Sequence, residues 1–212
     1  MGKFYAHYLN NNDSALFYFQ KAIELTPNSV KKSELLMNSA VMNQRLGRFE
    51  SALIDFKKAE EINPKDDLNL YNMALLLSDM RNKDEALNKI SKAIILKPND
   101  AEYFNLKGSI LIDLNNFDEA SNAFLTAIKI NPNFGGAYYN LGFLYGEQKD
   151  HKQSIKFYSE AVKLNYNLEE TLVNLALEKI QNNQRASACD DLKKAYNLGR
   201  REIKPLINKY CE

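Results

Sequence analysis

The chain has 212 residues and an almost balanced charge, with 28 Lys and Arg against 27 Asp and Glu. Because the two signs are mixed along the whole chain, no face is expected to carry the large positive field that nucleic acids attract. No apolar run approaches the roughly 18 residues of a membrane span, and the start lacks the apolar stretch of a signal peptide. We therefore expect a soluble protein without membrane insertion. Eight Gly, five Pro and no Trp favour helices over sheets.

The first 32 residues predict an incomplete helix pair. The stretch SALFYFQKAIELTPN, residues 14–28, predicts one good helix, whereas only a short helix over about residues 3–9 fits before it. Two explanations stay open. Residues 1–32 are either an atypical cap of the fold or the remainder of a chain cut from a longer one.

An internal repeat organises the rest of the chain. Pro64, Pro98 and Pro132 stand 34 residues apart, each after a similar run: FKKAEEINP, ISKAIILKP and FLTAIKINP. A Pro ends a helix because it lacks an amide hydrogen and disfavours helical geometry in the residue before it. Alignment on the prolines predicts four blocks, a degenerate fifth block and a capping helix: residues 33–66, 67–100, 101–134, 135–168, 169–200 and 201–212.

Small residues recur at three positions in each block. Counted from the first residue of a block, the eighth, twentieth and twenty-seventh positions are Ala, Gly or Ser throughout, for example Ala40, Ala52 and Ala59. The twenty-fourth position is large and apolar: Phe56, Ile90, Phe124, Tyr158 and Leu192. Small side chains let two helix backbones approach closely, and the large ones fill the remaining space. Each block is thus predicted to be two antiparallel helices joined by a short turn.

This pattern of small, large and Pro positions resembles the tetratricopeptide repeat family, strongly over residues 33–168 and more loosely at the flanks. The resemblance implies an all-α fold, a right-handed superhelix of antiparallel helix pairs in one continuous solenoid domain. It also implies a non-enzymatic scaffold or adaptor, which binds an extended peptide or a partner helix in a concave groove.

The resemblance also implies which residues line the groove. In the family, the second, fifth, ninth, twelfth and thirteenth positions of the first helix face it. The fifth and ninth positions here are Met37, Val41, Tyr71, Leu75, Asn105, Ser109, Tyr139, Phe143, Val173 and Leu177. Exposed aromatic residues on a helix suggest a binding surface, although burial against neighbouring blocks is the alternative.

An Asn ladder occupies the sixth position. Its members are Asn38, Asn72, Asn140 and Asn174. A side-chain amide both donates and accepts, so such a ladder suits the backbone of an extended peptide. Asn is also an ordinary preference of the family at this position, without any ligand.

The thirteenth position forms the rim of the predicted groove. It contains Arg45, Asp79, Asp113 and Glu147. Some family members clamp a terminal carboxylate with Lys and Arg in the groove, but this mostly acidic rim would repel one. We therefore expect a protein or peptide partner that is apolar to mildly basic.

The sequence offers no pattern of catalytic or metal-ligating residues. His7 and His151 have no second ligand type at metal spacing. His151 stands where other blocks have Phe49 and Phe117, which predicts a packing role. No Gly-rich loop follows a strand, and no Ser or Cys has a candidate base. We predict no enzymatic activity, no cofactor and no metal site.

Cys189 and Cys211 are the only thiols, and they lie eleven residues on either side of Arg200. They are either two small buried residues or, if the last two helices turn near Gly199 and Arg200, a facing pair that forms a disulfide. A disulfide would favour the periplasm over the cytoplasm. The run from Ser187 to Cys211 also resembles the ends of tetratricopeptide proteins of Bacteroides and Flavobacterium type, many of them in the cell envelope.

Two other functions stay open at this stage. One is an accessory subunit of a bacterial envelope or secretion assembly, which would require a signal or lipid anchor that the given sequence lacks. The other is a structural repeat protein that self-associates into a homo-oligomer through its terminal repeats.

Overall fold

The computed structural model describes residues 12–211. Within them no strand occurs, and no helix is long and apolar enough to cross a bilayer. The expected helix over residues 3–9, with His7, lies outside the described residues. Twelve α-helices follow one another: α1 Asn12–Leu25, α2 Val30–Arg45, α3 Phe49–Ile62, α4 Asp67–Asp79, α5 Lys83–Leu96, α6 Ala101–Asp113, α7 Phe117–Ile130, α8 Gly135–Glu147, α9 His151–Lys163, α10 Leu168–Gln181, α11 Arg185–Asn197 and α12 Lys204–Cys211, the last preceded by a 3-10 turn at Arg201–Ile203.

The chain divides into two compact units, the first ending at Ile110 and the second beginning at Leu111, within α6. In the first unit α1 packs against α2, α2 against α3, α3 against α4, and α4 against α5. In the second unit α7 through α12 likewise pack each against the next. The predicted all-α fold of consecutive helix pairs is confirmed.

The first helix of every block ends in the same kind of turn. The fifteenth residue of each block has a left-handed backbone: Gly47, Arg81, Asn115, Lys149 and Asn183, with φ between 58° and 72°. The next amide donates to the carbonyl five residues earlier, at 2.8–2.9 Å in all five blocks. This is the hydrogen bond that closes a Schellman motif. A repeated C-cap therefore fixes where each second helix begins, although only one of these residues is Gly.

The turn between α9 and α10 differs from the Pro-marked turns, because Tyr166 stands where three other blocks have Pro. Asn165 and Asn167 on either side of it have positive φ angles of 54° and 37°. The Tyr166 side chain lies on the start of α8. A Cβ added at Gly135 would lie 2.6 Å from Tyr166 Cβ, so Gly135 makes room for this turn.

The predicted small residues lie at buried helix contacts. Ala40, Ala52 and Ala59 have no exposed surface, and their equivalents in the other blocks are also buried. The fit is tightest where Tyr158 of α9 faces α8. A Cβ at Gly142 would lie 2.7 Å from two carbons of the Tyr158 ring. The block with a Tyr at its twenty-fourth position therefore requires Gly at its eighth.

The C-terminal helix α12 covers the last repeat. Ile203 joins Leu172, Val173 and Leu192 in a buried cluster against which residues of α12 pack. Cys189 of α11 forms a disulfide with Cys211 of α12, with the Cα atoms 5.5 Å apart.

Arg185 at the start of α11 also holds the end of α12. Its guanidinium donates to the carbonyls of Tyr210 and Lys209. The last carbonyls of a helix have no partner within the helix. Arg185 thus supplies donors that the end of α12 needs.

We expect Gly142→Ala to lower the free energy of unfolding by about 1 kcal/mol. Overpacking against the Tyr158 ring costs about 1–3 kcal/mol, which exceeds the gain of roughly 1 kcal/mol in helix propensity. Urea denaturation measures the change. The double variant Gly142→Ala/Tyr158→Leu should recover part of the loss, since the next block pairs Ala176 with Leu192.

Gly136→Ala in the same helix is the matched control. The nearest ring atoms of Tyr166 lie 3.4 Å from a Cβ there, an ordinary contact, so stability should not fall. Equal stabilisation by both substitutions would contradict the tight contact at Gly142.

Reduction of the disulfide should destabilise the C-terminal cluster. The cysteines are 22 residues apart, and the chain-entropy account gives about 3 kcal/mol for a loop of this size. Thermal denaturation with and without a dithiol measures the difference. The variant Cys189→Ser/Cys211→Ser should melt lower and be insensitive to the reductant. Free thiols in the air-oxidised protein, detected by alkylation and mass spectrometry, would contradict the disulfide.

Candidate functional site

In the first unit, the fold itself uses several of the predicted groove residues. Val41 packs against the buried pair Phe19 and Met42. Tyr71 is stacked on Tyr103, with ring centroids 4.9 Å apart. The other predicted residues on this unit are half-buried: Met37, Asn38, Asn72, Leu75, Asn105 and Ser109.

The Tyr71 and Tyr103 pair is anchored by hydrogen bonding. Tyr103 Oη donates to Asp67 Oδ2 at 2.6 Å. Burial, with Asp67 beside it, raises the pKa of Tyr103 far above its ordinary value, and burial also raises the pKa of Tyr71. Both phenols therefore stay protonated. The stacking and the hydrogen bond to Asp67 fix the position of the rings. They join consecutive blocks, so Tyr71 is mainly a packing residue.

The Asn ladder is partly satisfied within the chain. Asn38 Nδ2 donates to the carbonyl of Glu34 in its own helix at 2.6 Å. Asn174 Nδ2 donates to Tyr139 Oη at 3.0 Å. At these two positions the side-chain amide is bonded within the chain. Fewer amides of the predicted ladder are therefore available to a peptide.

Tyr139 of α8 is the centre of a polar and aromatic cluster in the second unit. Its Oη donates to Glu170 Oε1 of α10 at 2.8 Å. The ring lies 5.5 Å from that of Tyr158 and 5.7 Å from that of Tyr166. Burial and then Glu170 raise the pKa of Tyr139 to about 12. Tyr139 therefore connects α8 to α10. The sequence pattern had predicted an exposed groove residue at this position, and the structure shows a half-buried one.

Phe143 and Leu177 are the predicted groove residues with the most exposed apolar surface, 42% and 36% respectively. Both occupy the ninth position of their blocks, on α8 and α10. Phe143 follows Tyr139 by one helical turn, so the two share a face of α8. Val173 is the exception among the predicted residues, because it is buried in the C-terminal cluster under Ile203. It cannot contact a partner.

Contacts between α8 and α10 occur on both sides of Phe143 and Leu177. Asn174 reaches Tyr139 on one side. On the other, Glu178 Oε1 lies 2.7 Å from the place of a Cβ at Gly146. Phe143 and Leu177 therefore lie between two contacts of α8 with α10, the one at Tyr139 and the one at Gly146.

The predicted rim residues Arg45, Asp79, Asp113 and Glu147 are exposed. Asp79 Oδ2 accepts a hydrogen bond from Gln44 Nε2 at 3.2 Å. The acidic character continues in the second unit, where Glu170 is also exposed.

His151 and Glu178 form a contact that the sequence did not indicate. His151 Nδ1 lies 2.8 Å from Glu178 Oε2, with both side chains partly buried. The packing role predicted for His151 thus includes a polar partner on the next block. Glu170 was also missed, although it stands at the second position of its block, where the family places groove residues.

Within residues 12–211, no group of three or more His, Cys, Asp and Glu side chains could hold a metal ion. The exposed groups of this face are two apolar side chains, Phe143 and Leu177, and the carboxylates of Glu147 and Glu170. Such groups bind by contact, hydrogen bonding and charge.

Models of one repeat family match most of the chain. The model described as "TPR repeat" matches residues 108–149, and models described as "Tetratricopeptide repeat" match residues 1–29, 33–66, 71–120 and 136–165. The chain belongs to the tetratricopeptide repeat family. No curated protein matches it.

Solved structures of other tetratricopeptide repeat proteins share this fold. MamA of Desulfovibrio magneticus RS-1 is 22% identical, over 80% of this chain and 96% of its own, with a TM-score of 0.70. YrrB, described as a TPR protein with an unusual peptide-binding site, is 19% identical, over 90% and 97%, with a TM-score of 0.66. PilW, described as a type IV pilus biogenesis factor, is 21% identical, over 78% and 76%, with a TM-score of 0.71. At these identities the likeness shows the fold alone.

Proposed function

We propose that the chain is a non-enzymatic interaction scaffold, which holds an extended segment of another protein against the first helices of its repeats. In the second unit these helices are α8 and α10. The observation that carries the proposal is the exposure of Phe143 and Leu177 at equivalent positions of consecutive blocks. YrrB, which shares the fold, is described as having a peptide-binding site.

Phe143 and Leu177 are not part of the buried core. The buried residues of α8 are Gly135, Gly136, Ala137, Leu141, Gly142 and Leu144, and Phe143 lies outside that set. Exposed apolar side chains grouped between polar neighbours are characteristic of protein contact sites. Aromatic anchors at such sites carry a large share of binding energy. A partner's side chains would therefore gain the most by covering this pair.

The charges beside the pair favour an apolar to mildly basic segment. Glu147 and Glu170 are exposed on the same two helices. Carboxylates there repel an acidic peptide or a nucleic acid and steer a basic one.

An accessory role in an envelope or secretion assembly is the second candidate. The disulfide between Cys189 and Cys211 supports it, because disulfides persist in oxidising compartments such as the periplasm. The fold likeness to PilW, described as a pilus biogenesis factor, points the same way. The same face of α8 and α10 would serve in that assembly.

The double variant Phe143→Ala/Leu177→Ala tests the proposed face. Binders are first selected from displayed random peptides on the full chain, and their affinities are measured by fluorescence polarisation. We expect the double variant to weaken these binders about 30-fold to a thousandfold, the loss typical of central anchors. The helical circular dichroism spectrum should be retained, because neither side chain belongs to the buried core.

Leu125→Ala is the matched control, since Leu125 is 43% exposed in the same unit but on the second helix α7. It should leave affinity unchanged. Normal binding by the folded double variant, or an equal loss for Leu125→Ala, would show that α8 and α10 do not form the binding face.

A further inference from the structure

The helix α12 stands in the register of one more first helix. Its Leu206 follows Leu172 of α10 by one period of 34 residues, and Leu206 packs against the C-terminal cluster to which Leu172 belongs. The ninth position, which is Phe143 in α8 and Leu177 in α10, is Cys211 in α12. No residue of α12 is fully buried, and the disulfide at Cys211 ties the helix to α11. The face formed by the first helices of the second unit therefore continues from α8 and α10 onto α12.

A cavity of about 420 Å³ opens between α11 and α12. Lys193 of α11 and Lys204 of α12 both line it, and the other lining residues are Tyr196, Asn197, Ile207 and Asn208. No Asp or Glu is among them. The volume lies within the range of ligand sites, about 300–1,000 Å³. Ammonium and amide groups carry N–H donors, so the lining of this cavity suits an anionic hydrogen-bond acceptor.

The positive charge at the cavity is not offset by the chain itself. Neither Lys193 nor Lys204 has an ion-pair partner in the part of the chain that the structure describes. The carboxylates of Asp191 and Glu202 are paired with other residues. Arg201 adds a guanidinium 4.4 Å from the centre of the aromatic ring that lines the cavity. An anion from outside would therefore meet cations that have no acidic partner.

The charge of the first helices changes sign at this end of the second unit. The second position of the block is Glu170 in α10 and Lys204 in α12, and both side chains are exposed. Residues 192–211 contain six Lys and Arg and one Glu, although the whole chain is nearly balanced. The acidic surface beside Phe143 and Leu177 thus gives way to a basic one at α12, which an acidic group of the partner would complement.

We infer that the cavity between α11 and α12 holds the carboxylate of an Asp or Glu residue of the bound segment, while an apolar side chain of the same segment contacts Phe143 and Leu177. This inference rests on the proposed function and specifies its partner. Lys and Asn side chains bind carboxylate and phosphate alike, and a carboxylate is the anion that an unmodified protein segment supplies.

The separation of the two contacts sets the spacing in the segment. Packed helices lie about 10 Å apart, and an extended chain rises about 3.3 Å per residue. The acidic residue should therefore stand about three or four positions from the apolar residue that contacts Leu177.

Short random peptides displayed on phage and selected on the full chain test the inference. Enrichment of Asp or Glu about three or four positions from an apolar residue is the expected result. In a selected peptide, replacing the acidic residue by its amide should weaken binding about threefold to tenfold, as for partly exposed ion pairs. The difference should shrink at high salt, which screens such pairs.

Lys193→Gln/Lys204→Gln removes the two cations that line the cavity. It should weaken the acidic peptide by the same factor and leave its amide analogue unchanged. Both lysines are exposed, so the helical circular dichroism spectrum should be retained. Lys194→Gln/Lys209→Gln is the matched control, because it makes an equal charge change at exposed lysines of the same two helices that do not line the cavity. It should keep the preference for the acidic peptide.

The outcomes separate the two proposals. Selected peptides that depend on Phe143 and Leu177 but lack an acidic residue, or equal losses for the two double lysine variants, overturn this inference and leave the proposed function intact. A DNA duplex that binds more tightly than the acidic peptide, and loses that binding in Lys193→Gln/Lys204→Gln, also overturns it, since the cations would then bind nucleic acid. A selection without any binder overturns both proposals.

Discussion

The contact between small and large side chains at the helix interfaces is the constraint on which the rest of the structure depends. Protein interiors are close-packed, so each large side chain needs a matching gap on the facing helix. At Gly142 that gap admits the Tyr158 ring. The residue that one helix can carry at this contact is thus set by the residue that faces it on the next helix.

The same packing decides which apolar residues are left for a partner. The buried positions of a block hold the helices together, and other residues of the first helices face outward. In the first unit the fold uses part of this surface itself, through the stacked pair Tyr71 and Tyr103. In the second unit the polar bonds of Tyr139 connect α8 to α10. Phe143 and Leu177 remain exposed beside these bonds.

Sequence periodicity predicted the all-α fold of consecutive helix pairs, because the Pro spacing and the small residues are local signals. The periodicity did not predict which residues of the next block contact a given side chain. Tyr139 and Val173 occupy the same position in their blocks, yet Tyr139 bonds to Glu170 while Val173 is covered by Ile203. The left-handed C-cap at the fifteenth position was also missed, since four of its five residues are not Gly.

Pairings across blocks were equally invisible along the sequence. His151 meets Glu178 from 27 residues away, and no spacing rule connects them. The two cysteines were different, because a single turn at Gly199 and Arg200 makes residues equally far from Arg200 face one another. Contacts between two side chains could be predicted where a single turn joins their helices. Contacts between side chains of different blocks could not.

A crystal structure of the chain with a selected peptide bound tests the central claim most directly. The account predicts that the peptide lies along α8 and α10, with apolar atoms within about 4 Å of Phe143 and Leu177. A peptide found on the second helices α9 and α11, or at an end of the chain, would contradict it.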